Sequence, residues 1–397
     1  MPKITVVLTS FNHAEFIRET IDSVLNQTFS DFELVIWDDA STDNSWTVIN
    51  SYADPRIKAF RNEVTMRGVY GINKAISEVA LGEYIAIHHS DDVWELDKLE
   101  KQAAYLDAHS ETGAVFTKAS PINELGVPLN DPSHFYSNIF NQQNRSRHEW
   151  LRYFFLNGNA LCHPSVLIRK SCYDECGLYR IGFGQLGDFD MWVRLCAKYE
   201  IHVLSEPLIK FRIRDGEMNT SGNRPIVHIR DANEKYRILQ QYREISSKGN
   251  IFKIFPEFKS YDRGDNTDSE YVLARVCIGS DAFFLRQKLA MDILFDILNN
   301  PVRKEVVEQV YGFTSIDFIE ITGRYDIYSR QTVLSLQNAV IERDAQMDRF
   351  LKEIDEQIKI FVADRDDQLS NLSNEIAEQE EKIVKLLDQI ATLNKKN

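Results

Sequence analysis

Three apolar runs in the first ninety residues, ITVVLT (4–9), ELVIW (33–37) and YIAI (84–87), each stop at polar or acidic residues. Near-continuous apolar runs of this length, rich in β-branched residues, read as strands covered on both faces. The first leads into SFNHAEFIRETIDSVLNQT, where Phe16, Ile17, Ile21, Val24 and Leu25 recur at helical spacing and Asn12 with Glu15 resembles a capping box. The second ends in DDASTDNSW, whose Asp43 can cap a helix reaching Ser51. A third unit runs from IKAF through a loop to Gly68 and the helical pattern VYGINKAISEVA. Strand-helix alternation of this kind predicts an α/β fold with a mainly parallel sheet and right-handed crossovers.

That topology puts Thr9 to Asn12, Asp38 to Asp43, and Asp91 with Asp92 on one rim, where open α/β sheets bind ligands. Two adjacent carboxylates repel unless a cation or donors compensate. Mg²⁺ and Mn²⁺ take such oxygen ligands and bridge them to phosphates. A solvated turn leading into a helix near Asp97 is the other reading of the pair. Neither a GxGxxG nor a Walker glycine pattern follows the first strand, so a nucleotide here would be held by side chains. Asp39 can accept from a pyrimidine N–H or a ribose hydroxyl, and Phe11 offers a stacking face. A helix-capping Asp and a packed Phe are the alternatives.

At 397 residues the chain has room for two or three domains. A net charge of -14 argues against a nucleic-acid binder, which needs clustered Lys and Arg. No apolar run approaches the roughly 18 to 20 residues that span a bilayer. With no signal-like segment before Ile4, a cytoplasmic location is expected, compatible with peripheral contact at the inner face of a membrane. The five cysteines lack CxxC spacing and read as reduced thiols.

The blocks TSFNHAEFIRETIDSVLNQTF, DFELVIWDDASTDNS and GINKAISEVALGEYIAIHHSDDVWELDKLEKQ resemble the nucleotide-binding half of the inverting GT-A glycosyltransferases of family 2, a group that includes a bacterial spore-coat transferase. The resemblance covers about residues 3 to 215 and implies a GT-A nucleotide-diphospho-sugar transferase fold. It implies that Thr9, Phe11 and Asp39 meet the nucleoside, and that Asp91 and Asp92 hold Mn²⁺ or Mg²⁺ and the diphosphate. The family often writes Asp-x-Asp-Asp here, and His89 stands where the first Asp would be. His89 could contact ribose or metal, or serve as an ordinary hydrogen-bonded strand-end residue; His163 could reach the cleft or be structural.

Further on, FGQLGDFDMWVRLCAKYEIHVLSEPLIKFRIRDG places Phe189, Trp192, Val193 and Cys196 at helical spacing, with Asp188 at the helix start. An N-cap would explain an Asp there. In the family this position carries the catalytic base, so the resemblance makes Asp188 the base and leaves Asp190 structural or acceptor-binding. Where relatives often write Arg-x-His, the chain has Arg212 and Arg214, and the resemblance suggests that Arg214 assists the diphosphate; an exposed strand arginine is the alternative. The Gln-x-x-Arg-Trp motif of processive synthases is absent.

Residues 226 to 330 carry helical periodicity. Beyond about Gln331 Gly and Pro vanish, and two heptad seams appear. Leu336, Val340, Met347, Ile354, Ile358 and Phe361 form one, and Leu369, Leu372, Ile376, Ile383, Leu386, Ile390 and Leu393 the other. That pattern predicts a long coiled coil with a slip between Phe361 and Leu369, or a single amphipathic helix. The expected division is a transferase domain over 1–222 (nucleotide half 1–105, acceptor half 106–222), a helical domain over 223–330 and a coiled coil over 331–397. The expected function is non-processive, inverting transfer from a uridine- or thymidine-diphosphate sugar to a glycan or lipid-linked glycan, by a homo-oligomer. The alternative is a catalytically silent assembly protein.

Overall fold

The structure is a computed structural model describing residues 1–67, 69–129, 131–132, 134–247, 249–279 and 283–394; Gly68 lies outside the described residues, as does the side chain of Leu393. Two compact units emerge, Met1–Tyr325 and Asp326–Asn397. The first opens with β1 (Ile4–Ser10), α1 (Ile17–Leu25), β2 (Phe32–Asp38), α2 (Ser45–Ile49), β3 (Ile57–Arg61) and α3 (Tyr70–Lys74), which loosens into a π turn over Ala75–Val79. It continues with β4 (Tyr84–His89), β5 (Val93–Trp94), α4 (Lys98–Ala108), β6 (Thr112–Ile122), α5 (Tyr136–Ile139) and α6 (Arg147–Asn157). Then come β7 (Leu167–Arg169), α7 (Lys170–Cys176), α8 (Gly187–Cys196) and β8 (Glu200–Arg212). The helical remainder is α9 (Pro225–Gln240), α10 (Tyr242–Ile245), α11 (Ile251–Ile254), α12 (Ser269–Gly279), α13 (Phe284–Leu298), α14 (Pro301–Tyr311) and α15 (Ser315–Arg324).

One sheet runs in the order β3-β2-β1-β4-β7-β6-β8-β5. The β3-β2-β1-β4 half is wholly parallel, as its apolar runs predict. The other half is mixed: β7 is antiparallel to both β4 and β6, β6 is parallel to β8, and β5 is antiparallel to β8. Register aligns Ser10 with Asp38 and Thr9 with His89, so the loops after β1, β2 and β4 leave the sheet at one level. The same rim receives the carboxyl end of β8, where the Arg212 amide meets Asp92. Gly82 is required for this packing, because a Cβ there would lie 2.4 Å from the Thr5 backbone nitrogen of β1.

Two capping expectations need correction. Asn12 does not cap α1; it sits in the left-handed region at φ 54, and its amide oxygen accepts from the Thr42 backbone N–H at 2.8 Å. The helix starts at Ile17 after Phe16, with no side-chain cap. The turn residue ties the β1 loop to the β2 loop instead. Asp43 precedes the N-terminal neighbour of α2, accepting from Ser45 N–H at 2.9 Å and from Ala14 N–H across the rim at 2.9 Å.

The second unit contains α16 (Arg330–Asn394), 65 residues and about 98 Å long at 1.5 Å per residue. Seven of its apolar seam residues, Leu336, Met347, Ile358, Leu369, Ile376, Ile383 and Ile390, are more than half exposed. No helix among the described residues is long and apolar enough to cross a membrane.

Candidate active site

The acidic pair is held from behind by Arg212, a buried guanidinium at the end of β8. Its backbone N–H donates to Asp92 Oδ1 at 2.8 Å and its Nε donates to the Asp91 carbonyl at 2.7 Å. The rest of the fork reaches the carbonyls of Asn123 and Glu124 and the Glu19 carboxylate. Arg212 thus fixes the turn carrying both aspartates. Arg212→Ala leaves several buried acceptors unmade and is expected to lower stability by roughly 3–5 kcal/mol, read by chemical denaturation.

Asp92 is 1% exposed, and its Oδ2 has no hydrogen-bond partner. Burial first, and then the neighbouring Asp91, push its carboxyl well above the usual range. His89 Nδ1 lies 3.8 Å from that oxygen. His89, Asp91 and Asp92 each offer one ligand atom within 4.8 Å of the others. An orphaned carboxylate oxygen beside a second carboxylate and an imidazole fits a divalent cation.

His89 Nε2 meets His163 Nδ1 at 3.2 Å, and His163 Nε2 meets the Tyr179 hydroxyl at 3.0 Å. This chain orients His89 with Nδ1 toward Asp92. Burial keeps both rings below the ordinary histidine pKa, which favours the neutral form and leaves His89 Nδ1 able to ligate. On the other side His13 bridges the Ser90 hydroxyl at 2.8 Å and Arg214 at 3.0 Å, with Nε2 4.0 Å from Asp91. Arg214 retains a buried Nε without a hydrogen-bond partner.

Among the nucleoside candidates, Thr9 pairs in register with His89 and Phe11 is 46% exposed beside it on the rim. Asp39 is placed differently from a free acceptor. Its carboxylate takes the Asn62 amide, the Thr65 hydroxyl and the backbone N–H groups of Met66 and Arg67, at 2.7–2.8 Å. Burial alone would raise its pKa, but these bonds outweigh it and hold the group below the usual value. In this state Asp39 anchors the 62–67 loop at the rim.

Asp188 is the second residue of α8, partly buried. Its Oδ2 accepts from the Asn159 amide at 2.8 Å and its Oδ1 from the Phe189 N–H at 2.7 Å. Burial dominates over these bonds and raises the carboxyl to about 6. Asp190 serves another purpose: fully buried, it binds Arg194, Arg180 and Gln241. Glu234 of α9 accepts from three successive backbone N–H groups, Gly184, Gln185 and Leu186, and so holds the loop leading into Asp188.

One short segment joins the two halves of the site. Asn159 contacts Asp188 at 2.8 Å and His163 contacts His89 at 3.2 Å. Four residues span at most about 14 Å. Cys162 between them senses the charges of both Asp92 and Asp188. A carboxylate at about pKa 6 and an acidic pair therefore share one neighbourhood, suited to proton abstraction beside a bound diphosphate.

Residues 5–170 match the family described as Glycosyl transferase family 2. A glycosyltransferase domain of family 2 type therefore occupies residues 5–170 of this chain. Among relatives, it is 29% identical over 222 residues to the uncharacterized glycosyltransferase MJ1057 of Methanocaldococcus jannaschii, covering 53% of this chain and 71% of that protein. It is 33% identical over 107 residues to the Escherichia coli UDP-Glc:alpha-D-GlcNAc-diphosphoundecaprenol beta-1,3-glucosyltransferase WfaP, covering 27% of this chain and 42% of WfaP. A solved structure of S. aureus TarS 1–349 with UDP-GlcNAc aligns at TM-score 0.49 and 16% identity over 83% of this chain and 92% of that one. In this glycosyltransferase the sequence reading had missed His13, Asn159, Glu234 and the clamping role of Arg212. Each acts across more than 25 residues of chain, through contacts that no local pattern encodes.

Proposed function

We propose that this glycosyltransferase moves one sugar, with inversion, from a uridine- or thymidine-diphosphate sugar to a glycan or lipid-linked glycan. The supporting observation is the Asn159–His163 segment, which contacts both the Asp188 carboxylate and His89 of the acidic cluster, where Asp92 Oδ2 has no hydrogen-bond partner. Asp188 takes the proton of the acceptor hydroxyl as it attacks the anomeric carbon opposite the leaving diphosphate. Thr9, Phe11 and Asp39 receive the nucleoside, Asp39 after the 62–67 loop yields its carboxylate. Arg214 offers guanidinium donors to the diphosphate. His89, Asp91 and Asp92 would hold Mn²⁺ or Mg²⁺, and the imidazole favours Mn²⁺. Bound there, the ion supplies positive charge against that growing on the leaving diphosphate. The substrates in WfaP's name, a nucleotide sugar and a diphosphoundecaprenol-linked sugar, support the donor and acceptor classes.

Purified full chain is expected to hydrolyse one member of a nucleotide-sugar panel slowly in Mn²⁺ and not in EDTA. Hydrolysis of none of them, with or without metal, would favour a silent assembly protein. The exposed seam of α16 supports self-association as a coiled coil in either case. Sedimentation equilibrium should give a multiple of 46.0 kDa, falling to one chain in Leu369→Asp/Ile376→Asp. A wild-type monomer at micromolar concentration defeats that reading.

A further inference from the structure

Beside the loop that leads into Asp188 lies a groove of about 800 Å³, within the range of small-ligand sites. Arg180, Arg230 and Arg237 line it together with Phe183, Ile226 and Ile229. Its charge is unbalanced. Arg230 has no ion pair or hydrogen bond among the described residues, and Arg237 reaches only the Gln240 amide oxygen at 3.5 Å. Arg180 shares the Asp190 carboxylate with Arg194. The groove's own acid, Glu234, is buried beneath the backbone N–H groups of Gly184 to Leu186. A concentration of guanidinium groups on a chain of net charge -14 calls for an anion.

The groove's apolar side is equally unbalanced. Ile226 and Ile229, one turn apart on α9, are 61% and 65% exposed. Ile181, next to Arg180, is 82% exposed. Arginine forks bind phosphate oxygens, and branched aliphatic side chains one turn apart bind hydrocarbon. A free sugar supplies neither partner, and a nucleotide sugar supplies only the first.

We infer that this groove receives the diphosphate and first isoprene units of a lipid-linked acceptor. This deepens the proposed function and rests on it. The loop forming the inner wall ends at Leu186, two residues before Asp188, so a sugar attached to a diphosphate bound here begins beside the base. The concave placement of the arginines suits a single diphosphate better than the plane of bilayer head groups.

The test is equilibrium binding of farnesyl diphosphate to the full chain in EDTA, where the acidic pair does not attract diphosphate, against inorganic pyrophosphate. Farnesyl diphosphate should bind about tenfold or more tightly than pyrophosphate. Arg230→Ala/Arg237→Ala should weaken it about tenfold or more, and Ile226→Ser/Ile229→Ser should reduce it to the pyrophosphate level. Circular dichroism checks that these surface variants fold. Equal binding of the two probes, or an arginine variant that binds like the wild type, overturns the inference. So does capture by phosphatidylglycerol vesicles without farnesyl diphosphate binding, which would mark a head-group contact. Wild type that hydrolyses a nucleotide sugar yet ignores farnesyl diphosphate defeats this inference alone; the reverse result defeats the proposed donor chemistry.

Discussion

Asp188→Asn should lower turnover by on the order of 10²- to 10⁴-fold, the usual contribution of a positioned general base, while donor affinity changes little. The substitution keeps an oxygen for the Phe189 N–H and leaves the Asn159 amide close by, so the shape of the site survives. What is lost is the proton acceptor. Because burial sets the carboxyl at about 6, wild-type kcat/KM should climb with pH and level off above that value. The variant's small residual rate should lack this limb. Stability moves the other way. A carboxyl whose folded pKa exceeds its ordinary 3.8 binds its proton more tightly in the folded state, so folding stability declines as pH rises from near 3.8 through about 6. At pH 7 the charged wild-type residue is a burden that Asn removes. Asp188→Asn should therefore melt no lower than wild type, which separates lost chemistry from lost fold. Near-wild-type turnover in a folded variant would return Asp188 to a helix-terminal structural role.

Much of this layout was legible because it depends on local patterns. The runs 4–9, 33–37 and 84–87 become β1, β2 and β4, and register brings their polar ends to one level. Where the reading departed from the structure, distant contacts outweighed local preference. Asn12 has the capping-box pattern, yet Thr42 from the next loop claims its amide oxygen. Asp39 does not cap a helix, the other role its position offered: the 62–67 loop supplies four donors to it. The extended segment at Val166 to Ile168 becomes β7, but its antiparallel pairing between β4 and β6, which joins the parallel and mixed halves of the sheet, is set by the fold and not by its local sequence. Glu234 reads as one acid on a polar helix face; only the fold shows it binding a loop nearly fifty residues earlier. In α16 the heptad spacing was readable from the sequence alone, and the structure gives one helix over Arg330–Asn394.

Asp92→Asn should abolish metal-dependent turnover, a fall of at least about 10²-fold given the several kcal/mol a metal contributes to charge stabilisation. The argument turns on the two oxygens of one buried carboxylate. Oδ1 is committed to the Arg212 N–H, a bond the Asn oxygen reproduces. Oδ2 faces His89 with no partner, and an amide nitrogen there cannot ligate a cation. Without metal, burial and Asp91 favour the protonated acid, so a cation must displace a proton and its affinity should rise with pH. In the metal-free protein the same raised pKa makes stability fall as pH rises above the ordinary 3.8, a slope that Asp92→Asn should flatten. Mn²⁺ should thus oppose two effects in the wild type, and neither in the variant. At about 100 times its dissociation constant a ligand adds about 2.7 kcal/mol of stability, visible as a higher Tm. Wild type should show that rise and the variant almost none, although the metal-free variant melts at least as high. An equal Mn²⁺-induced rise in both proteins would place the cation elsewhere and leave Arg212 clamping a turn that has only a structural purpose.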